Sequence, residues 1–281
     1  HNMAEPFFVA MRRNALDEAG RLGVDLMIVD AQSNSAKQTA DVETAVATGT
    51  RGVIIAPNDV NALTPAVDYV LKAGVPIATV DRKVDQASRP VPHFGADNVA
   101  GGRLMAQFVV QRFPQGAKIV LLTGSPGSSS AIDRSTGIHA VLDQAGPAYR
   151  ILAEQTARWQ RDQGLTVTQN ILTALGGDRP DALIAEDDDM AMGAVEALRQ
   201  AGIKGVTVIG FNATPEALKL VRAGEMAATV EQSPSRQIRI ALDQVVANIR
   251  RGTPITGARV VPILVTAHNL ADAERIGEVK P

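Results

Sequence analysis

The sequence predicts an α/β protein built from two doubly wound lobes, each a parallel sheet covered by helices. Short apolar runs rich in β-branched residues alternate with segments of helical periodicity over nearly the whole chain. Apolar strands separated by single helices indicate parallel sheets that are buried on both faces. With 281 residues, 45% of them hydrophobic, the chain is long enough for two domains that each have a core.

The predicted elements follow one another in regular alternation. A first helix begins at Pro6, whose missing N–H suits a helix entry. Eight apolar runs are predicted as strands: Val24–Val29, Gly52–Ala56, Pro76–Val80, Lys118–Thr123, Ala182–Ala185, Val206–Phe211, Ala227–Val230 and Val260–Val265. Helical periodicity is predicted near residues 36–48, 60–73, 99–113, 130–144, 161–175, 188–201, 214–223 and 234–251.

Three joints divide the predicted elements between two lobes. The polar stretch from Asp81 to Asp97 is too long for an ordinary βα turn and suits a first crossing between domains. Pro234 and Pro262 mark two further crossings, because proline cannot continue a central strand. We therefore expect an N-terminal lobe of residues 1–96 plus 233–262, a C-terminal lobe of residues 97–232 plus 263–281, and a hinge of three crossings.

Charge and composition exclude several classes of partner. The net charge of -2 favours neither nucleic acid nor an anionic membrane surface. No apolar run reaches the ~20 residues that span a bilayer, and no signal peptide is recognisable, so an exported protein would be represented by its mature form. Cysteine is absent, which excludes a disulfide framework and thiol chemistry and slightly favours the periplasm over the cytoplasm.

Polar side chains follow most of the predicted strands, at the edge where open parallel sheets bind ligands. These positions are rich in carboxylates and amides and include Asn58-Asp59, Asp81-Arg82, the turn 124–130, Glu186-Asp187-Asp188-Asp189, Phe211-Asn212 and Glu231-Gln232. Their chemistry predicts a site for a polar small molecule.

The opening stretch Glu5-Pro6-Phe7-Phe8 predicts a sugar-binding surface. Adjacent Phe residues at a helix entry are not both expected to face the same core stripe, so at least one ring should project from the loop. An aromatic face beside a carboxylate suits a sugar, whose C–H face stacks while its hydroxyls bind the acid. Trp159, the only tryptophan, lies in a polar connection and is predicted as a second platform. The alternative is that both Phe rings are ordinary core.

Other motifs have more ordinary explanations. The turn 124–130 is rich in Gly and Ser but lacks the Lys of a phosphate-binding loop, so we interpret it as a tight βα turn with a Ser N-cap. The acidic run 187–189 could bind a metal, but consecutive residues point apart and acids favour a helix N-terminus. We expect Asp187 to point into a cleft while its two neighbours cap the helix. Asp97-Asn98 is interpreted as an N-cap.

Catalytic and metal chemistry have little support in the sequence. None of the four His residues lies near a nucleophile elbow or in a ligand pattern, so we expect no catalytic residue, metal or cofactor. Arg82 and Arg134 are predicted to bind the ligand, because a guanidinium offers fixed donors to neighbouring hydroxyls. The alternative for both is an interdomain ion pair.

An ordered set of motifs resembles the ribose-binding protein group of periplasmic sugar-binding proteins of ABC transporters. The matching motifs are Pro6-Phe7-Phe8, Asp30-Ala31-Gln32, Thr79-Val80-Asp81-Arg82, Ala96-Asp97-Asn98 with Gly101-Gly102, residues 188–194, Gly210-Phe211-Asn212, and Ala228-Thr229-Val230 with Gln232. The resemblance covers almost the whole chain. It implies two α/β lobes, a three-crossing hinge and a monosaccharide closed between the lobes.

The resemblance also implies which side chains bind the sugar. Positions that match the pocket of ribose binders are Phe7, Phe8, Asp81, Arg82, Arg134, Trp159, Phe211 and Gln232, and with Glu5, Asp187 and Asn212 they form the predicted binding set. Glu5 and Asp187 replace Asn, Asn212 replaces Asp, and Trp159 replaces Phe, so the ligand need not be ribose. The family has a strand before the Pro-Phe-Phe loop. Here either the sequence is a piece of a longer one or another segment fills that place.

The sequence thus predicts a monomeric, periplasmic or tethered extracellular receptor. It would deliver a neutral pentose, hexose or polyol, or secondarily an amino sugar, to an ABC permease or a chemoreceptor. Hinge closure would follow from preferential binding to the closed state. One alternative is the effector-binding core of a LacI-type regulator, which would require a helix-turn-helix. Another is an α/β enzyme that acts on sugars through Asp187 and Glu5.

Overall fold

The computed structural model describes residues 1–279. The chain forms two compact units. Unit 1 comprises residues 1–96, 127–130 and 233–260; unit 2 comprises residues 97–126, 131–232 and the chain from Val261 onward. Among the described residues, no helix is both long and apolar enough to cross a membrane.

Unit 1 is built on a parallel four-stranded sheet. Its strands are β1 (Val53–Ile55), β2 (Ile77–Val80), β3 (His93–Ala96) and β9 (Ala258–Val260), and they pair in that order. Its helices are α1 (Pro6–Leu22), α2 (Ser35–Ala47), α3 (Thr64–Lys72) and α9 (Pro234–Arg251). Two apolar clusters stabilise the unit, one with residues of α1 and α9 and the other with residues of α2 and α3.

Unit 2 is built on a six-stranded sheet with the order β10-β8-β7-β6-β4-β5. Its strands are β4 (Ala117–Thr123), β5 (Tyr149–Thr156), β6 (Ala182–Ala185), β7 (Thr207–Phe211), β8 (Ala228–Glu231) and β10 (Ile263–Thr266). All pairings are parallel except that of β10 with β8. Its helices are α4 (Asn98–Arg112), α5 (Ser129–Ala145), α6 (Arg161–Leu175), α7 (Asp188–Gln200) and α8 (Pro215–Ala223), followed by 3₁₀ turns at Leu270–Asp272 and Ile276–Glu278.

The inner strands of the unit 2 sheet, β4, β6, β7 and β8, are buried on both faces, as their apolar runs predict. In β4, Val120 and Leu122 join one apolar cluster whereas Ile119 and Leu121 join another. Successive side chains of a strand point to opposite faces, so the two clusters cover the two sides of the sheet. This is why β4 reads as a continuous apolar run rather than an alternating one.

Two strand predictions are wrong. Residues Val24–Val29 are not a strand; together with β1 they line a cavity of about 460 Å³ within unit 1. Residues Val260–Val265 are not one strand but the end of β9 and most of β10, which belong to different sheets. Pro262 lies at the break, where its missing N–H cannot continue a ladder. β3 was not predicted, because four residues that include Gly95 give little strand signal.

Candidate functional site

Unit 1 brings five predicted binding residues together, and we call them the unit 1 group: Glu5, Phe7, Phe8, Asp81 and Arg82. Glu5 occupies the N-cap position of α1 in an extended conformation and makes no capping hydrogen bond, and Pro6 follows at the first helical position. The carboxylate of Glu5 is therefore not used to cap the helix.

The prediction that one of the two Phe rings projects from the loop is wrong. Phe7 and Phe8 are both buried and join the same apolar cluster as Met11 and Ala15. They pack edge to face, with ring centroids 5.2 Å apart and an interplanar angle of 88°. This T-shaped packing lets adjacent aromatic residues share one core. Phe8 also contacts a cation, since the guanidinium carbon of Arg82 lies 5.5 Å from its ring centroid.

Arg82 lies between two carboxylates at the end of β2. Its Nη2 is 3.7 Å from Oε2 of Glu5, and its Nε is 3.5 Å from Oδ2 of Asp81. These separations are longer than charge-assisted hydrogen bonds, so the attraction is mainly between charges. Asp81 has a φ of 60°, in the left-handed region that non-glycine residues seldom adopt.

Glu5 has an unusual protonation equilibrium for a carboxyl group. Burial raises its pKa to about 7, although the Arg82 charge acts in the opposite direction. Its Oε1 lies 3.0 Å from Nε2 of His1, a contact that sequence reasoning missed. Glu5 can therefore accept hydrogen bonds when ionised and donate one when protonated.

Unit 2 holds the other six predicted residues, the unit 2 group: Arg134, Trp159, Asp187, Phe211, Asn212 and Gln232. Arg134 is its centre. Nε of Arg134 donates to Oδ1 of Asn98 at 2.9 Å, and Nη1 donates to the carbonyl oxygen of Glu186 at 2.5 Å. The guanidinium carbon lies 3.6 Å from the Phe211 ring centroid and 5.5 Å from that of Trp159. Neutral acceptors and aromatic faces thus fix this arginine.

Trp159 is not an exposed loop residue but a buried one. Its side chain joins the apolar cluster that covers one face of the unit 2 sheet. A Cβ atom added to Gly124 would lie 1.9 Å from the indole ring, so only glycine fits at the end of β4. Trp159 has a φ of 66°. The polarity of the surrounding loop concealed this packing from sequence reasoning.

Asn212 and Gln232 form one hydrogen-bonded pair in the unit 2 group. Nε2 of Gln232 donates to Oδ1 of Asn212 at 2.6 Å. Nη2 of the buried Arg275 donates to the backbone oxygen of Asn212 at 2.6 Å. Asn212 has a φ of 112°, so this contact supports a strained backbone. Sequence reasoning missed Arg275, which follows β10 in an irregular segment without a motif.

The prediction for the acidic run is wrong in its assignment of the N-cap. Asp187 itself caps α7, and its Oδ1 accepts a hydrogen bond from the Met190 N–H at 2.9 Å. Asp188, which was predicted to cap the helix, is instead hydrogen-bonded to Thr214 and Thr229. It is buried, and it accepts bonds from the N–H of Thr214 and the hydroxyl of Thr229, each at 2.7 Å. Burial raises its pKa to about 7.

The prediction of an N-cap at Asp97 is confirmed, since its side chain accepts a hydrogen bond from the Ala100 N–H. In the turn 124–130, the Ser129 hydroxyl accepts a bond from the Lys83 N–H at 3.0 Å. Within residues 1–279, no three His, Asp or Glu side chains are grouped so that they could hold a metal ion.

Backbone strain marks several of the predicted binding residues. Among the eleven, Asp81, Trp159 and Asn212 have φ values in the left-handed region without being glycine. Such conformations cost of order 1–3 kcal/mol each and persist where the surrounding structure imposes them, often at ligand sites.

Comparison with known proteins identifies the family. Residues 1–253 match the model of the periplasmic binding protein domain. The chain is 38% identical over 233 residues to the ribose import binding protein of Salmonella typhimurium, an alignment that covers 82% of this chain and 76% of the relative.

Two solved structures resemble the whole chain. The Caulobacter myo-inositol binding protein bound to myo-inositol has a TM-score of 0.98 at 51% identity, covering 99% of this chain and 95% of that protein. An ABC transporter periplasmic solute binding protein from Actinobacillus succinogenes with bound D-allose has a TM-score of 0.87 at 30% identity, covering 95% of each chain. The two α/β units and the match over most of the chain give one conclusion: this protein belongs to the periplasmic binding proteins, and within them to the sugar-binding proteins of ABC transporters.

Proposed function

We propose that the chain binds one neutral cyclic polyol, with myo-inositol as the first candidate, through the unit 1 group and the unit 2 group together. The observation that carries the proposal is the repeated arrangement of an arginine over a phenylalanine ring, Arg82 with Phe8 and Arg134 with Phe211. Carboxylate or amide oxygens lie beside each pair. A polyol hydroxyl can donate to those oxygens and accept from the guanidinium groups.

The substitutions relative to ribose binders support a ligand other than ribose. Glu5 and Asp187 place carboxylates where ribose binders usually carry Asn, which adds acceptors for ligand hydroxyls. myo-Inositol has a hydroxyl on every ring carbon and no ring oxygen, so it offers more hydroxyl donors than a hexopyranose of similar size. The myo-inositol complex of the similar Caulobacter protein also supports myo-inositol as the first candidate. Ribose and D-allose, named for two other similar proteins, are the ligands against which it should be compared.

We expect the chain to perform no chemistry on its ligand. The family consists of substrate-binding proteins, so its members capture a solute rather than convert it. We propose that the receptor acts as a monomer in the periplasm and delivers its ligand to an ABC permease. Incubation with the ligand and recovery by mass spectrometry should return the compound unchanged; a converted product would favour the enzyme alternative.

Ligand capture should be coupled to closure about the hinge that the sequence predicts. A ligand shifts such an equilibrium only by its differential affinity for the two states. Small-angle scattering should show a smaller radius of gyration at saturating ligand than in its absence. An unchanged radius at saturation would refute hinge closure but not binding.

The function is tested by a thermal-shift screen over pentoses, hexoses, cyclitols and amino sugars, followed by calorimetry. A true ligand raises the melting temperature because it binds only the folded state. At a ligand concentration of one hundred times its Kd, the free energy of unfolding increases by about 2.7 kcal/mol. We expect myo-inositol to give the largest shift and D-ribose a smaller one. The absence of any shift across the screen would contradict the proposed function, and a larger shift with ribose would contradict the choice of ligand.

A further inference from the structure

Glu186 is a buried carboxylate to which the predicted binding set assigns no role. It is the single residue between the end of β6 and the N-cap of α7, and it is fully buried. Its Oε2 accepts a hydrogen bond from the Gly124 N–H at 2.7 Å, and its Oε1 accepts one from the Ser135 hydroxyl at 2.6 Å. One side chain therefore ties the end of β4 to α5.

Both contacts of Glu186 lead to predicted ligand-binding residues. Gly124 packs directly against the Trp159 indole, and a Cβ there would overlap the ring. Ser135 follows Arg134, and Nη1 of Arg134 donates to the Glu186 carbonyl oxygen at 2.5 Å. Glu186 thus contacts the glycine that packs against the indole and the helix that carries the guanidinium.

The surroundings of Glu186 make its protonation sensitive to pH near neutrality. Burial raises its pKa to about 7, while the Ser135 and Gly124 hydrogen bonds and the Arg134 charge act in the opposite direction. From β5, the Glu154 carboxylate raises it further, and Glu154 itself lies 3.0 Å from the His139 imidazole of α5. From α7, the acidic groups nearest in sequence are Asp187 and Asp188, which are engaged in the helix cap and with Thr229.

We propose that Glu186 is a positioning residue whose ionised carboxylate holds Gly124 and α5 in register, and thereby sets the arrangement of Trp159 and Arg134 and the affinity for ligand. The link to affinity rests on the proposed function, since it takes Trp159 and Arg134 as ligand contacts. The arrangement of the two side chains does not depend on it.

The direction of the effect follows from hydrogen-bond chemistry. An ionised carboxylate accepts from both Gly124 and Ser135, and bonds to an ionised acceptor are shorter and stronger. A protonated carboxyl must donate at one oxygen, so one of the two bonds reverses or weakens. It also leaves the Arg134 charge less compensated. We expect the arrangement to loosen as the pH falls through about 7.

The first experiment uses the ligand-free protein and the single tryptophan as a probe. Trp159 is the only tryptophan, and Arg134 lies 5.5 Å from its ring, so fluorescence reports this environment. Between about pH 5.5 and about pH 9, wild type should show an emission transition centred near pH 7, as expected from the pKa. Glu186→Gln should show none, because the amide can still accept from Gly124 and donate to Ser135 but does not titrate.

Glu154→Gln is the matched control for charge. It removes a carboxylate whose field raises the pKa of Glu186, so the transition should remain and move to lower pH. A structural disturbance alone would not shift the midpoint in this direction. A transition that persists unchanged in Glu186→Gln, or no transition in wild type, would overturn the positioning role.

The second experiment measures the Kd for myo-inositol by calorimetry at about pH 6 and about pH 8. Wild type should bind several-fold more weakly at the lower pH, and Glu186→Gln should bind with nearly the same Kd at both. Equal Kd values for wild type at both pH values would overturn the link to affinity. If neither wild type nor Glu186→Gln binds myo-inositol at either pH, the proposed function is refuted instead. The fluorescence experiment would still decide the role of Glu186.

Discussion

Arg82 in unit 1 and Arg134 in unit 2 are held by different interactions, although each lies over a phenylalanine ring. Arg82 is 3.5 and 3.7 Å from two carboxylates and 5.5 Å from the Phe8 centroid. Arg134 makes directed hydrogen bonds to an amide and a backbone carbonyl, and lies 3.6 Å from the Phe211 centroid. Charge dominates the first environment, and the planar, forked geometry of guanidinium dominates the second.

The difference teaches that the same residue type has two separable tasks. At Arg82 the positive charge offsets Glu5 and Asp81, whereas at Arg134 the shape of the group fixes its direction. Lysine keeps the charge and loses the shape. An Arg-to-Lys substitution at each position therefore tests the comparison directly.

The largest effect is expected from Arg134→Lys. An ammonium cannot reproduce the two bonds to Asn98 and Glu186 together with stacking on Phe211, and hydrogen bonds to charged groups contribute about 1.5–3 kcal/mol each. We expect calorimetry to show a loss of affinity of about 100-fold or more for this variant, and only about 10-fold for Arg82→Lys. Equal losses would break the distinction between charge and geometry, and melting temperatures of both variants control for folding.

The next largest effect should come from the aromatic contact of the unit 2 group. Trp159→Ala removes a buried anchor next to Arg134, and such truncations cost roughly 1–3 kcal/mol or more. Affinity should fall at least about 10-fold, whereas the exposed Lys204→Ala should bind as wild type does. Trp159→Phe, which keeps a ring in the cluster, should lose less. Wild-type affinity in Trp159→Ala would exclude this residue from the site.

Parts of these groups could not be predicted because they depend on packing. The Pro-Phe-Phe stretch predicts a helix entry, but the burial of both rings follows from their edge-to-face contact, which residue spacing does not encode. Arg134 was predicted as a ligand contact, whereas its acceptors on Asn98 and Glu186 were not, because they come from other elements of unit 2. The strand ends were predicted best, since an apolar run followed by polar residues is a local signal.

The strand predictions succeeded or failed for the same physical reason, which is packing against other elements. In β4 and β6 the apolar runs lie inside a sheet covered on both faces, so composition and structure agree. Residues 24–29 have a similar composition but lie beside a cavity in unit 1. A strand needs a partner edge, which its own sequence does not reveal. At residues 260–265, Pro262 indicates where the strand is interrupted, but the sequence does not reveal that the parts on either side belong to different sheets.

A smaller effect is expected on the pH dependence of stability. Burial raises the pKa of Glu5 in unit 1 and of Glu186 in unit 2 from 4.5 to about 7. The neutral carboxyl costs less to bury than the ionised one, even though its hydrogen bonds at Glu186 are weaker. This contribution to the stability of the fold is therefore fully present below the unfolded-state pKa and is lost as the pH rises through about 7. The loss is on the order of 1–3 kcal/mol per group.

Thermal unfolding of the ligand-free protein should therefore show a melting temperature that falls between about pH 5 and about pH 8. Glu5→Gln and Glu186→Gln should each reduce the fall, and the double variant should reduce it further, because the two groups lie in different units. A melting temperature that rises over this range in wild type and is unchanged by both substitutions would contradict the burial of the two carboxyls.

The central claim is that the unit 1 group and the unit 2 group together select a neutral polyol. The predicted binding set contains three acids, Glu5, Asp81 and Asp187, and two bases, Arg82 and Arg134. An anionic ligand would add like charge beside side chains that are largely buried, at a cost of several kcal/mol. An amine on the ligand would instead find carboxylate partners.

The most direct test is calorimetry at about pH 8, where Glu5 is ionised. The three ligands are myo-inositol, an amino-substituted inositol and an inositol monophosphate. We predict one bound molecule of myo-inositol per chain, comparable or weaker binding of the amine, and no measurable binding of the monophosphate. Tightest binding of the monophosphate would contradict the assignment of Glu5 and Asp187 to the site and, with it, the proposed recognition of a neutral ligand.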